Sequence, residues 1–523
     1  MIKIPAFGEA RVIESRENNT AKAFFIAEAG REAFGKYGEL LIDDGFALFE
    51  ERARGGNRYA AYRSGDVGVF VNYYGGTDEL FIVVEDGCAY FDYGDTAGES
   101  SVAIELTQIA LEDFGLSYVI RLSDGRFIII DGGWDFEPDA DKLYRCLSRG
   151  ALGERPRIAA WIMTHPHCDH FHCFMPFFDK YGERVNIEKF IYNFPEHDDL
   201  ERYPTLSKQD VRVGDCSALT NIPRMLERIE RSGALTYKAH TGQTYRIGDA
   251  KIELLASMDD TIHRSANVNT TSLVFRMEIA GQVILWTADA SFGDARLAER
   301  YGGYLRADIL QVPHHGFGMG SAEAEIEGYE YILPEVCLLP SLEYDAFYDF
   351  ALYKKGTRHL MTRLGIRELI DGSVERTLKL PYHAPRYAER ELRERVRAGF
   401  ESGGALVWVF SELSTADADD FYFSLLNTCN VNATVWGELF FEDRALNVRH
   451  IKITLPRLQL TRLSIIGDEV DGDALFFNSQ SLAKLGVPEN AAFAVRFISD
   501  VPIVVSHKKH LPSHSSGAWV YDK

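Results

Sequence analysis

The chain has 523 residues, 46% of them hydrophobic, and 78 acidic against 56 basic side chains leave a formal net charge of −22. That much apolar chain suits two to four domains, and the acidic surface works against tight nonspecific nucleic-acid binding without excluding a local basic groove. Seven widely spaced cysteines without a CxxC pair argue against a disulfide framework. With no signal-like start and no apolar run of ~18 residues, the expected setting is the cytoplasm, with no membrane passage.

Residues 1–105 hold aromatic and β-branched runs between Gly- and Asp-rich turns, such as Val67–Tyr74 and Leu80–Val84 around Gly75-Gly76. They predict a small, mainly β domain, with Gly94–Ser101 as a linker. Residues 106–385 alternate strand-like and helical stretches. Leu116–Leu122 and Arg126–Ile130 read as paired strands, Asp139–Arg149 as a helix, Arg157–Met163 as a strand and Phe171–Tyr181 as a helix. Ile252–Ala256, Thr271–Ile279, Gln282–Thr287 and Asp308–Val312 are further strands. This mixture predicts a layered α/β architecture. Residues 386–523 begin with a charged helical pattern, Tyr387–Ala398. The strand-like runs Ala405–Phe410, Val435–Phe441, His450–Leu455 and Ala492–Ile498 follow, which predicts a β or α+β domain.

The chemistry concentrates in the middle segment. His165-Pro166-His167-Cys168-Asp169-His170 follows an apolar strand directly. A loop at a strand end turns neighbouring side chains toward one point, where a continuing strand would alternate them. Three imidazoles and a carboxylate there suit zinc and related divalent ions, whereas each would need its own buried partner if it were packing. Two later strands end the same way, Val283–Trp286 at Asp289 and Ile309–Val312 at His314-His315-Gly316. A lone Asp at such a place is usually a cap or turn residue; the repetition raises all three together. Cys168 reads as a soft ligand or, more simply, a small residue of the loop. His172 reads as a rim group or a helix residue, and the helix is the simpler reading. His507, His510 and His514 look like a metal site but read better as a flexible polar tail.

With these residues in view, the middle segment resembles a metallo-β-lactamase-fold metallohydrolase. The family's HxHxDH motif is matched by His165, His167, Asp169 and His170, its earlier Asp-Gly by Asp131-Gly132, its later bridging Asp by Asp289, and its final His by His314 or His315. The runs Asn269–Val274 and Ala307–Gly316, then Leu364-Gly365-Ile366 leading to Gly372, are similar to the soluble hydrolase domain of ComEC-like competence proteins, here without the membrane channel. The resemblance implies a four-layer αββα sandwich between flanking mainly β or α+β domains. It implies that His165 and His167 hold one metal, that Asp169, His170 and His314 hold a second, and that Asp289 bridges. Asp131 then orients the ligand loop and Asp169 shuttles a proton. The family's Gly-Gly after the motif is replaced by Phe171-His172-Cys173. Its additional His ligand has only His197, His240 and His263 as candidates.

The implied activity is a metal-dependent hydrolase using a metal-bound hydroxide. Zinc is the default, as one or two ions, with manganese as the alternative. The leaning is to phosphodiesters, with a small-molecule or nucleotide-type substrate. Hydrolysis of a lactone, thioester or amide on the same site is the alternative, and a non-catalytic binding protein the remoter one. Flavodiiron-type relatives carry an acidic residue where His167 stands, which argues against redox chemistry.

Overall fold

The structure is a computed structural model. It describes residues 4–5, 12–17, 20–95, 98–99, 101–203, 206, 217–262, 267–290, 292–293, 295–316, 328–341, 366–384, 405–414, 416, 420–429, 432–441, 449–466, 475–476 and 491–510. The predicted helix Tyr387–Ala398 and the residues His263 and His514 lie outside the described residues.

The first segment comprises β1 (Val12–Glu17), β2 (Ala21–Ile26), α1 (Arg31–Asp43), β3 (Ala47–Arg54), β4 (Asn57–Ser64), β5 (Val67–Tyr74) and β6 (Glu79–Glu85). Its strands form one antiparallel sheet in the order β1-β2-β6-β5-β4-β3. Both faces of β6 are buried. Leu80, Ile82 and Val84 pack with Phe34, Tyr37 and Leu41 of α1, while Phe81 and Val83 join the core of the middle segment. That double burial is why β5 and β6 read as near-continuous apolar runs instead of alternating ones. Helix α1 is absent from the mainly β reading of this region. Its apolar residues 34, 37, 38 and 41 recur at helical spacing, and Gly38 lets it approach the sheet, since a Cβ there would lie 2.3 Å from the Tyr62 hydroxyl.

The middle segment runs β7 (Glu105–Gln108), β8 (Ser117–Arg121), β9 (Phe127–Asp131), α2 (Glu137–Gly150), β10 (Arg157–Ile162), α3 (Cys168–Phe171), α4 (Phe174–Tyr181), β11 (Asn186–Ile187), β12 (Lys189–Tyr192), α5 (His197–Arg202), α6 (Ala218–Ser232), β13 (Leu235–Lys238), β14 (Thr244–Ile247), β15 (Ala250–Ala256), α7 (Met258–Thr261), β16 (Val274–Ile279), β17 (Gln282–Trp286), α8 (Leu297–Tyr301), β18 (Ile309–Gln311), β19 (Val336–Leu338), β20 (Glu368–Ile370) and β21 (Arg376–Lys379). Two mixed sheets result, β13-β12-β10-β9-β8-β7-β21 with β11 beside β10, and β14-β15-β16-β17-β18-β19-β20. They face each other through Tyr118, Ile120, Ile128 and Ile130 on one side and Ile252, Leu254, Phe275, Met277 and Trp286 on the other. The alternate residues of the first sheet, Val119, Phe127, Ile129 and Trp161, pack outward on α2, α4 and α6. This is the expected α/β sandwich with its site-bearing strand ends at one edge.

The last segment is all strand among the described residues: β22 (Ala405–Ser414), β23 (Asp420–Asn427), β24 (Ala433–Phe441), β25 (Arg449–Leu455), β26 (Gln459–Ile466), β27 (Leu475–Phe476) and β28 (Ala492–His510). Strand β28 pairs with β22 and β24 along its first half and with β23 along its second. His507 therefore stands in a strand with its ring against Phe410 and Phe423, which corrects the reading of a flexible tail as far as residue 510.

The first sheet seats against the second sheet of the sandwich through polar groups. Arg300, 1% exposed on its side chain, pairs with Asp260 at 2.6 Å and lies over the Tyr74 ring at 4.4 Å. Asn72 donates to the Thr241 carbonyl at 2.8 Å, and Arg52 pairs with Glu253 at 2.9 Å. Removing one member of a buried pair strands the other charge. Arg300→Met is therefore expected to cost about 3–5 kcal/mol, measured as the shift of the denaturant unfolding midpoint.

Candidate metal centre

Four strand ends build the site. Strand β9 delivers Asp131, β10 leads into Thr164–His170, β17 into Asp289, and β18 into His314-His315. Within each sheet the two contributing strands are parallel neighbours, so their carboxyl ends open on the same edge.

Asp131 is fully buried and organises the loop. One carboxylate oxygen accepts the Thr164 backbone N–H at 2.7 Å, and the other accepts the Thr164 hydroxyl at 2.6 Å and His170 Nδ1–H at 2.7 Å. The backbone adds a second clamp, because the N–H groups of Gly132 and Gly133 both donate to the His170 carbonyl, at 2.7 and 2.8 Å. With Nδ1 tied to Asp131, His170 presents Nε2 to the cluster. His315 is fixed the same way, its Nδ1–H donating to the Pro340 carbonyl at 2.8 Å. Tying off one ring nitrogen selects the tautomer whose other nitrogen can ligate.

The presented atoms form two groups sharing one carboxylate. Asp169, His170, Asp289 and His315 make the first, and His165, His167 and Asp289 the second; within each group the ligand atoms lie within 4.8 Å of one another. His315 Nε2 is 2.8 Å from Asp169 and 3.4 Å from Asp289, and His170 Nε2 is 3.1 Å from Asp289. The structure thus puts His315, not His314, beside the carboxylates. Both residues have positive φ, 47° and 53°, and that turn sends the two imidazoles to different places. His314 stays 22% exposed, with Nε2 4.0 Å from Asp289 and 3.0 Å from the Asn269 amide.

The charges explain why a cation belongs there. Burial lowers the pKa of His165 and His167 and keeps them neutral, the ligating form. Burial also acts against the charged forms of His170 and His315, but the Asp289 and Asp169 charges outweigh it and push both up, His315 to about 10. Asp169 and Asp289 are driven down by the same imidazoles, against the effect of their burial. Two carboxylates therefore hold protons on their neighbours where a cation would otherwise sit. His165 Nε2 is buried without a hydrogen-bond partner, 3.7 Å from Asp289. An orphaned imidazole nitrogen beside a shared carboxylate, with N and O donors throughout, fits a divalent metal.

The remaining candidates lie elsewhere. His197 sits on the short exposed helix α5 with Asp198 and Glu201. His240 is buried with both nitrogens engaged, Nδ1 by Asp259 at 2.6 Å and Nε2 by Glu85 of the first sheet at 3.2 Å. It is a joint between segments, not a ligand. His172 is buried next to the Phe171 ring. Cys168 is disulfide-bonded, so its sulfur is no thiolate ligand; Cys88, Cys146, Cys173, Cys337 and Cys429 are free. Two supporting residues escaped the sequence reading. Thr164 carries Asp131's hold on the loop. Gln311 accepts the N–H groups of Thr287 at 2.9 Å and Ala288 at 2.6 Å, which fixes the approach to Asp289. The signal for Gln311 was a polar residue inside the apolar run Ile309–Val312.

Two outcomes are expected here. Asp131→Ala should weaken metal retention about 10–100-fold, measured by competition with a chromophoric chelator. Burial would lower His240, yet Asp259 and Glu85 raise it to about 9, above the ~6.5 of an unfolded histidine. Its contribution to stability is then complete below pH ~6.5 and lost as pH rises through about 9. Thermal melts should show this alkaline decline in the parent and a flatter profile in His240→Gln.

Residues 110–323 match the family described as the metallo-beta-lactamase superfamily. Among solved structures, the chain is similar to the metallo-beta-lactamase fold protein YhfI from Bacillus subtilis, at 13% identity over 53% of this chain and 99% of that one, with a TM-score of 0.32. It is similar to CmlA, a diiron beta-hydroxylase from Streptomyces venezuelae, at 13% identity over 67% of this chain and 78% of that one, with a TM-score of 0.31. A further likeness, to the Anabaena sensory rhodopsin transducer, covers 20% of this chain and 88% of that one at 19% identity and a TM-score of 0.15. No curated protein matches the chain in sequence.

Proposed function

We propose, from the premise that residues 110–323 form a metallo-beta-lactamase superfamily domain, that this enzyme is a metal-dependent hydrolase of phosphodiesters of small-molecule or nucleotide size. The observation that carries the reading is the sharing of Asp289 between two donor groups. His165, His167 and Asp289 would hold one divalent cation, and Asp169, His170, Asp289 and His315 another. When bound, such a pair supplies Lewis acidity toward a phosphoryl oxygen and acidifies a water.

The chain's own residues do the rest. Asp131 and Pro340 set the tautomers of His170 and His315. Phe114 packs edge-on against the His315 ring, with Trp134 against Phe114, and this aromatic wall keeps water off that side. Asp169, with one oxygen on His315, is placed to hold the proton released by an attacking water. The order of Asn269–Val274 before Asp289, and of Ala307–Gly316 after it, supports the leaning to phosphodiesters that comes with the ComEC-like resemblance.

The net charge of −22 favours a second reading, a small neutral lactone, thioester or amide, over a long polyanion. Zinc suits the histidine-rich donor set, with manganese the alternative. Among the described residues no helix is long and apolar enough to cross a membrane.

The test is metal analysis with kinetics. The purified chain should hold up to two equivalents of divalent metal and lose activity on bis(4-nitrophenyl) phosphate when chelated. His167→Ala should cut kcat/KM at least ~100-fold. Trace metal only, or an unaffected His167→Ala, overturns the hydrolase reading. Activity on a lactone or thioester panel alone replaces the phosphodiester with the second reading.

A further inference from the structure

Of the two adjacent imidazoles at the end of β18, one joins the cluster and the other does not. The turn is built to separate them. His314 adopts φ 47° and ψ 49°, and its N–H donates to the Ala288 carbonyl at 2.9 Å, one residue before Asp289. Its backbone is thus pinned to the strand end that carries the shared carboxylate. Its ring is not sealed in, being 22% exposed where His315 is 1% exposed. Its Nε2 faces inward, 4.0 Å from Asp289 and 3.0 Å from the Asn269 amide. His314 and Asn269 therefore flank the group that offers three donors, His165, His167 and Asp289, instead of the four-donor group beside His315.

Asn269 reaches this place through its own short 3-10 turn, Asn269–Thr271. The next residue, Ser272, accepts the Asp289 N–H at 3.2 Å. The segments that carry the amide and the imidazole are thus each hydrogen-bonded to the loop of Asp289. Two hydrogen-bonding side chains beside the donor cluster, His314 part-exposed and Asn269 buried, match a tetrahedral oxyanion that offers more than one acceptor oxygen.

We propose that His314 and Asn269 form a substrate-contacting pair that hydrogen-bonds a non-bridging oxygen of a phosphoryl group, and that His314 is not a metal ligand. The proposal rests on the phosphodiester reading above and deepens it by assigning the anion's contacts.

The experiment compares His314→Ala, Asn269→Ala and His315→Ala in the full, metal-loaded chain. Three readouts are taken: metal content by mass spectrometry, kinetics on bis(4-nitrophenyl) phosphate, and calorimetric binding of inorganic phosphate. His314→Ala and Asn269→Ala should keep the parent metal content. Their KM and their Kd for phosphate should rise roughly 10–100-fold, the scale of a hydrogen bond to a charged group. His315→Ala should lose metal. Because alanine tolerates positive φ poorly, His314→Asn and His314→Gln serve as further variants. Both keep a donor, Asn also suits the turn, and partial recovery of phosphate binding supports the contact. Loss of a metal equivalent in His314→Ala overturns the proposal, as does parent-like phosphate binding in both alanine variants. If the parent binds metal and phosphate but cleaves no phosphodiester, the functional reading falls, and the phosphate arm still decides the role of the pair.

Discussion

The site depends on one buried carboxylate. Asp131 ends a strand whose other residues are apolar, and nothing in the hydrophobic core around it compensates a charge. Three donors do: a backbone N–H, a hydroxyl and an imidazole, two of them from Thr164 and one from His170. An unpaired carboxylate there would cost several kcal/mol or take up a proton. The fold therefore can close at this edge only when the His165–His170 loop lies where Asp131 needs it. The loop's position is thus a condition of burying the strand end, and the placement of its ligand residues is tied to the fold through Asp131.

The backbone shares that burden. Asp131, Ala288, His314 and His315 all take positive φ, a region that side chains other than glycine avoid. All four stand at the strand ends that converge on the cluster. Such conformations persist only where the surroundings over-determine them. Here the surroundings are visible: the His170 carbonyl held by Gly132 and Gly133, and the Ala288 carbonyl held by His314. Gln311 braces the same turn from within the sheet.

Much of this was legible in the residues. The strands β8, β9, β10, β15, β17 and β18 follow from apolar runs bounded by turn residues, and the His165–His170 loop announced itself by composition. Asp289 was legible because an apolar strand of fixed length aims at it. What the sequence could not separate was His314 from His315, since the choice turns on two backbone dihedrals. His240 was ambiguous for a different reason. A lone imidazole carries no mark of its partners, and Glu85 and Asp259 are distant from it in the chain. Helix α1 was hidden by a region whose overall texture is β, although the spacing of Phe34, Tyr37 and Leu41 records it. His507 was misread because polar residues on a strand face look like those of a tail.

The first sheet has a consequence for inheritance. Its inner face is part of the same apolar core as the two sheets of the sandwich, and its Glu79 and Glu85 carboxylates face cationic groups that the sandwich itself buries, Arg300 and His240. Cut away, it would leave those groups, and the aromatic surface around Tyr245 and Tyr301, facing water. The catalytic sandwich of this chain is accordingly not a cassette that recombination can lift out and graft elsewhere. It is built as half of a bonded pair, and moved alone it would need that wall covered by something else.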